Sequence, residues 1–469
     1  MLSARWRLPL LVVGLQVGLF VLFVLFVTYD EHSDAAGQTN LTDHAHNQLY
    51  AIFPLFQDVQ VMIFVGFGLL MGFLKKYGYG GIALNFLIAV FSVQWALLVQ
   101  GWFYHLHRGR IRIGIRNLLG AETACATVMI SFGAVLGKTS PVQVLVLALL
   151  EVPLFTATEW LVVELLGVKD VGGSVAIHLF ACYFGLSVTA VLYRPGLKGG
   201  HKDEAPDYHS DKLAMLGTLL LWVFWPSFNS AAAARGDDQH RAVLHTYIGL
   251  SSCTMTTFAI SSLLDKRGKI SLGHLQNAAL AGGVAVGSAV DLMLTPAGAF
   301  ALGSLASIFC TLGFRYLSPF LAKHLKIQDV CGINNLHGIP GFIGAIGGIV
   351  TILATPDEAY GAGLYETFPH RAPPPLQATQ RGELGLARLV PALQGGAGRS
   401  AADQARSQLA GIGVCLGMAV LGGMVTGLVL KLPFLAQPED EYCFNDDPYF
   451  QLPTEGEPKD SCKIVIKNC

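Results

Sequence analysis

Long apolar runs separated by short polar stretches recur along the whole 469-residue chain. A helix needs about 20 apolar residues to cross a hydrocarbon core about 30 Å thick. Twelve runs have that length: 8–28, 57–75, 81–103, 119–137, 141–166, 172–193, 211–230, 243–264, 273–294, 296–316, 335–354 and 409–432. The pattern predicts an all-α polytopic membrane protein with about twelve transmembrane helices. The first run is long for a cleaved leader and ends at no small-residue cleavage site, so it reads as a retained span. The implied divisions are an N-terminal span (1–30), an outer loop (31–56), a first core half (57–193) and a cytoplasmic linker (194–210). A second core half (211–354), an irregular outer loop (355–408), a last span (409–432) and a cytoplasmic tail (433–469) complete the chain.

Lysine and arginine placement orients the spans, since short cytoplasmic loops are rich in both. With Arg5 and Arg7 in the cytoplasm, the even loops and both termini are cytoplasmic. Those loops hold Lys75, Lys76, Lys138, Arg194, Lys198, Lys202, Lys266, Arg267, Lys269, Arg315, Lys323 and Lys326. The loop at 105–116 dissents, with four arginines on the outer side. The one N-x-S/T sequon, Asn40-Leu-Thr42, falls in the first outer loop and marks Asn40 as the expected glycosylation site. Residues 356–408, with the runs Arg371-Ala-Pro-Pro-Pro-Leu376 and Gln394-Gly-Gly-Ala-Gly-Arg399, read as a flexible outer linker. Cys443, Cys462 and Cys469 in the tail are expected as free thiols.

Composition narrows the class. Charged residues make up 13% of the chain, about half the share in soluble domains. A net charge of −1 argues against a nucleic-acid partner. Nine scattered cysteines form neither a disulfide framework nor a zinc site. Gly133-Ala-Val-Leu-Gly-Lys-Thr139 is one residue short of a phosphate loop and follows an apolar span. No catalytic set, metal cluster or cofactor motif is present, so the reading is a non-enzyme without cofactor or metal.

Two segments repeat. Asp170-Val-Gly-Gly-Ser-Val-Ala-Ile-His178 opens span six, and Asp329-Val-Cys-Gly-Ile-Asn-Asn-Leu-His337 opens span eleven. Asp, Val, Gly and His coincide, and five spans separate the copies. An odd number reverses direction, so spans 2–6 and 7–11 form an inverted repeat, an arrangement that places sites near the midplane. Eight residues of helix rise about 12 Å, which carries each histidine into the bilayer. Ionisable groups there face the protein interior or a cavity. Two neutral imidazoles can share one proton and still offer a donor and an acceptor to a small polar guest. Asp170 and Asp329 read mainly as caps for helix N–H groups. The run Leu221-Trp-Val-Phe-Trp-Pro-Ser-Phe-Asn229 ends span seven as an interfacial aromatic belt, with Phe228 as a candidate hydrophobic gate.

At these segments the chain resembles the Rh glycoproteins of the ammonium transporter/Rh superfamily. The likeness rests on Phe56-Gln-Asp-Val59, Val65-Gly-Phe-Gly68, Phe132-Gly-Ala-Val-Leu-Gly-Lys138, His178 with Tyr183-Phe-Gly-Leu186, and Trp225-Pro-Ser-Phe-Asn229. It continues in Gln276-Asn-Ala-Ala-Leu-Ala-Gly-Gly283 and Gly332-Ile-Asn-Asn-Leu-His-Gly-Ile-Pro340, so nearly the whole chain is covered. Ile130-Ser-Phe-Gly, Leu149-Leu-Glu-Val and Glu358-Ala-Tyr-Gly361 look more like the non-erythroid type B than type C. The resemblance implies the ammonium-transporter fold, a homotrimer with one pore per subunit, and passive conduction of ammonia past His178 and His337 in the plasma membrane. It implies an inner-face aromatic gate at Phe228. The outer gate ring is missing, because Gly120-Ala-Glu-Thr123 stands where Asn-Ala-Asp-Phe is usual, so Thr123 predicts a leakier entrance. The candidate pore residues are thus His178, His337, Phe228, Thr123, Asp170, Asp329 and Asn334. The stretch 371–396 matches nothing in the family and resembles translated non-coding sequence. The competing readings are a non-conducting Rh-type scaffold and a carbon dioxide channel.

Overall fold

The computed structural model describes residues 4–35, 47–374 and 396–453. Asn40, Cys462, Cys469 and the centre of the 371–396 stretch lie outside the described residues. Eleven helices among the described residues are long and apolar enough to cross a membrane. They are α1 (Trp6–Phe26), α2 (Gln48–Met71), α3 (Gly78–Tyr104), α4 (Ile115–Val135), α5 (Pro141–Leu165), α6 (Ser174–Val191), α7 (Tyr208–Ser230) and α8 (Asp237–Leu264), followed by α11 (Pro296–Leu325), α12 (Asn334–Ala354) and α13 (Ala401–Leu430).

The expected ninth span departs from one continuous helix. It is broken into α9 (Leu272–Ala278) and α10 (Ala281–Val286), with a 3-10 turn at Gly287–Ala289. Its apolar composition hid the break, which tertiary docking enforces. Gly172 N–H donates to Gly287 O (3.0 Å), Ser288 N–H to Ser174 Oγ (2.8 Å) and Ser174 Oγ–H to Val284 O (2.7 Å). The backbone groups released from the helix are satisfied by the start of α6, as buried polar groups require.

α1 is apolar all round; Leu19 is buried and Leu8, Leu15 and Leu22 pack half-buried against the core, while the opposite side is exposed, the pattern of a peripheral helix facing lipid. α4 and α6 are the most enclosed spans and hold the centre of the core. α11 packs along α8, and α13 along α6.

One small ribbon interrupts the helices. β1 (Val27–Tyr29) runs parallel to β3 (Arg110–Ile113), and β2 (Leu106–His107) pairs antiparallel with β3. Arg108 and Gly109, both at positive φ, make the tight hairpin turn. Three of the four dissenting arginines, Arg108, Arg110 and Arg112, belong to this ribbon, while Arg116 opens α4, and Arg110 Nη1 donates to Val24 O at the end of α1 (3.0 Å).

Two further stretches differ from expectation. Described parts of the 355–408 loop are packed: Arg371 Nη2 bonds both carboxylate oxygens of Asp357 at 2.7 Å, Arg399 Nη1 donates to Leu166 O (2.7 Å), and α13 begins at Ala401, eight residues before the expected span. The ends flanking 375–395 meet, with Gly396 N–H donating to Pro373 O (2.9 Å). The first part of the tail folds onto the opposite face. Arg194 reaches Asp440 Oδ1 (2.9 Å) and Pro438 O (2.7 Å), and Asp446 accepts from Tyr79 N–H (2.8 Å) and Gly80 N–H (2.6 Å), capping α3. These segments name the two sides of the molecule below: the loop face and the tail face.

Candidate functional site

Each half of the repeat builds the same local device. A glycine at positive φ, Gly173 (+71°) or Gly332 (+72°), turns the chain, a conformation that a Cβ disfavours. A wide π-helical turn follows at once, Ser174–Leu179 in one half and Asn334–Gly338 in the other. Such turns are rare and gather at functional sites. The preceding aspartate supplies the missing cap. Asp170 Oδ2 accepts from Val175 N–H (3.0 Å) and Ala176 N–H (2.7 Å), and its Oδ1 accepts from the Ser288 hydroxyl of the broken span. Asp329 accepts from Ile333 N–H (3.0 Å) and Asn334 N–H (2.9 Å). Both carboxylates therefore serve backbone donors.

The two turns bring the histidines together. His178 Nδ1 lies 3.1 Å from His337 Nδ1, with ring centroids 5.2 Å apart and planes inclined by 14°. Both rings are buried. At 3.1 Å one Nδ1 donates and the other accepts, so a single proton sits between them. Each ring keeps its Nε2 for another partner. His178 Nε2 has none among the described residues. Trp225 stacks on His178 at 6.0 Å and 22°, and Phe228 lies at 6.2 Å.

Cavities approach this pair from both faces. The loop-face cavity, about 920 Å³, is lined by Tyr104, Thr123, Glu159, Asp170, Ile177 and Phe228 among others. The tail-face cavity, about 400 Å³, reaches His337 itself and is otherwise mainly apolar, with Phe67, Phe314 and Leu336 in its wall. Phe228 and the imidazoles divide the two spaces.

Two site residues sit differently from expectation. Phe228 lines the same cavity as Thr123, so it sits at the loop face with Thr123 and not at the tail face. The reason is direction: α7 starts on the tail face and ends, with Phe228, on the loop face. Asn334 lies one turn before His337, and its nearest side-chain partner is Asn335 Oδ1 at 3.5 Å. It lines neither cavity. Thr123 turns its hydroxyl back to Gly120 O (2.7 Å), which leaves only its small side chain at the cavity wall.

Glu159 was not foreseen. It lines the loop-face cavity with its carboxylate 3.3 Å from Tyr104 Oη. The available signal was an acid inside an apolar run, which membrane interiors tolerate only beside a cavity or partner.

The fold and this site define a polytopic membrane protein whose two halves meet at a buried histidine pair between opposed cavities. The chain belongs to the ammonium transporter family, whose model (Ammonium Transporter Family) matches residues 18–449. It is 49% identical to ammonium transporter Rh type C from Canis lupus familiaris, over 97% of this chain and 95% of that protein. It is 47% identical to ammonium transporter Rh type B from Oryzias latipes, over 99% and 97%. These two values do not separate type B from type C. Among solved structures, Nitrosomonas europaea Rh50 matches with a TM-score of 0.70 and 29% identity, over 90% of this chain and 97% of that one. Saccharomyces cerevisiae Mep2 shares the fold, with a TM-score of 0.67 at 17% identity over 90% and 97%.

Proposed function

We propose that the protein is a passive ammonium channel in which neutral ammonia crosses between the two cavities past His178 and His337. The observation that carries the reading is the 3.1 Å Nδ1–Nδ1 contact between buried rings, set between cavities on opposite faces. One shared proton leaves one Nε2 as donor and the other as acceptor. Ammonia, which both donates and accepts, complements that pair. A cation does not, because neither neutral ring supplies a negative charge. An unpaired charge near the bilayer centre costs at least about 2.5–3.5 kcal/mol, whereas the neutral molecule escapes that cost. Ammonium therefore collects in the loop-face vestibule beside Glu159, loses a proton, crosses as ammonia and regains a proton beyond.

The finer parts of this reading are a homotrimer in the plasma membrane, cytoplasmic termini and a glycan at Asn40. They draw on the resemblance, on the sequon and on the tail-face lysines. The test is ammonia-driven pH change in proteoliposomes. His178→Phe and His337→Phe should each cut the flux strongly. Unchanged flux in both variants overturns the mechanism. Competition between ammonia and carbon dioxide in the same vesicles tests the gas-channel alternative.

A further inference from the structure

The twin imidazoles account for passage but not for the proton exchange that must precede it. Ammonium is a weak acid and surrenders its proton to water slowly, so a positioned base at a pore mouth speeds recruitment. The wall of the tail-face cavity carries one such group beyond His337. His274, on the first short piece of the broken span, lines that cavity. Its Nδ1 lies 3.0 Å from Ser261 Oγ, and Ser261 Oγ also accepts from Ser271 N–H (3.0 Å). Its Nε2 has no hydrogen-bond partner among the described residues.

The choice of a hydroxyl as partner matters. A serine oxygen can donate to a bare Nδ1 or accept from a protonated one. It therefore supports both neutral tautomers and the imidazolium alike. A carboxylate would hold the ring charged, and a backbone carbonyl would hold one tautomer. His274 is thus free to alternate protonation at Nε2 without losing its anchor. Facing it are Asp211 of α7, Arg315 of α11, and Cys331 and His337 across the cavity. Asp211 Oδ1 accepts from Gln276 Nε2 (3.2 Å), which keeps a carboxylate in the wall for an arriving cation.

Resting on the channel reading above, we propose that His274 is the proton-exchanging base of the tail-face mouth. An N–H bond of ammonium breaks as an N–H bond forms at His274 Nε2. Ammonia keeps the electron pair and moves to His337. The imidazolium, still donating from Nδ1–H to Ser261 Oγ, returns the Nε2 proton to water in the vestibule.

The test uses sealed membrane vesicles of both orientations carrying the full chain or His274→Gln, in weak buffer at mildly acid pH, where free ammonia is scarce. Ammonium supplied at the tail face should drive about tenfold less flux through the variant. That is below the 10²–10⁴-fold typical of a positioned acid–base group because water shares the work. Imidazole added on that face should restore it. At alkaline pH, where free ammonia is abundant and no deprotonation at the mouth is needed, flux through the variant should come close to wild type, which also reports correct folding. Equal flux without imidazole overturns the proposal. So does a deficit that imidazole does not mend, or one that persists undiminished at alkaline pH. Absence of flux in the wild-type vesicles would instead reject the channel reading itself.

Discussion

Asp329→Ala separates two roles for the repeated capping geometry at the head of α12. If the carboxylate is a cap, its removal orphans Ile333 N–H and Asn334 N–H, now bonded at 3.0 and 2.9 Å in a buried turn. Hydrogen bonds to a charged acceptor are worth about 1.5–3 kcal/mol each, and loss of a helix cap costs about 0.5–2 kcal/mol. Allowing for partial rescue by water, the expected destabilisation is about 2–4 kcal/mol. Asp329→Asn retains one carbonyl acceptor and should lose about half as much. Asp170→Ala should cost more than Asp329→Ala, since Asp170 also holds the Ser288 hydroxyl that docks the broken span. The assay is thermal unfolding of detergent-solubilised protein by intrinsic fluorescence, run beside proteoliposome flux on whatever remains folded. The capping account predicts a lower midpoint with near-normal flux per folded molecule. An Asp329→Ala protein that melts like wild type but fails to conduct would refute it and make the carboxylate a substrate group.

Further outcomes follow. Thr123→Phe fills the loop-face cavity beside Phe228, so it should lower methylammonium flux more than ammonia flux in stopped-flow vesicles; equal losses contradict the entrance role. Removal of 375–395 should leave melting and flux within error, because Gly396 N–H already bonds Pro373 O and Gly398 N–H bonds Ala372 O, which holds the flanking segments together. Reads of the transcript that pass from codon 368 directly to codon 398 would show the stretch is not translated at all; continuous reads would show that it is. Burial pushes the Lys138 ammonium down to about 8 from 10.5. Between those values the unfolded chain holds more protons, so stability rises with pH. The wild-type melting midpoint should therefore gain on that of Lys138→Gln between about pH 8 and pH 10, and a constant difference would contradict the assignment.

Much of the site was visible along the chain because its signals are local. The Asp-to-His spacing of eight, a shared glycine and an odd count of intervening spans were enough to place His178 opposite His337. The capping of helix N–H groups by both aspartates follows from the same segments. Other features depend on contacts between distant segments and left no local trace. Residues 273–294 are apolar enough for one helix, and only docking against Gly172 and Ser174 breaks them. The resemblance implies an inner-face gate at Phe228, whereas the span count carries the end of α7 to the loop face, where Phe228 lies beside the cavity of Thr123. Glu159 meets Tyr104 across 55 positions, and sequence spacing does not reveal such a pairing. His274 lies at the start of the expected ninth span, next to the basic loop 266–269, and nothing local distinguishes it from an interfacial residue until its cavity is seen.

The central claim is that an uncharged nitrogen species crosses between the paired rings. Simultaneous recording of current and luminal pH in bilayers containing purified protein addresses it most directly. The account predicts alkalinisation on the receiving side with no ammonium-dependent current, and loss of that alkalinisation in His178→Phe and His337→Phe. A current that scales with ammonium and survives both substitutions would contradict it.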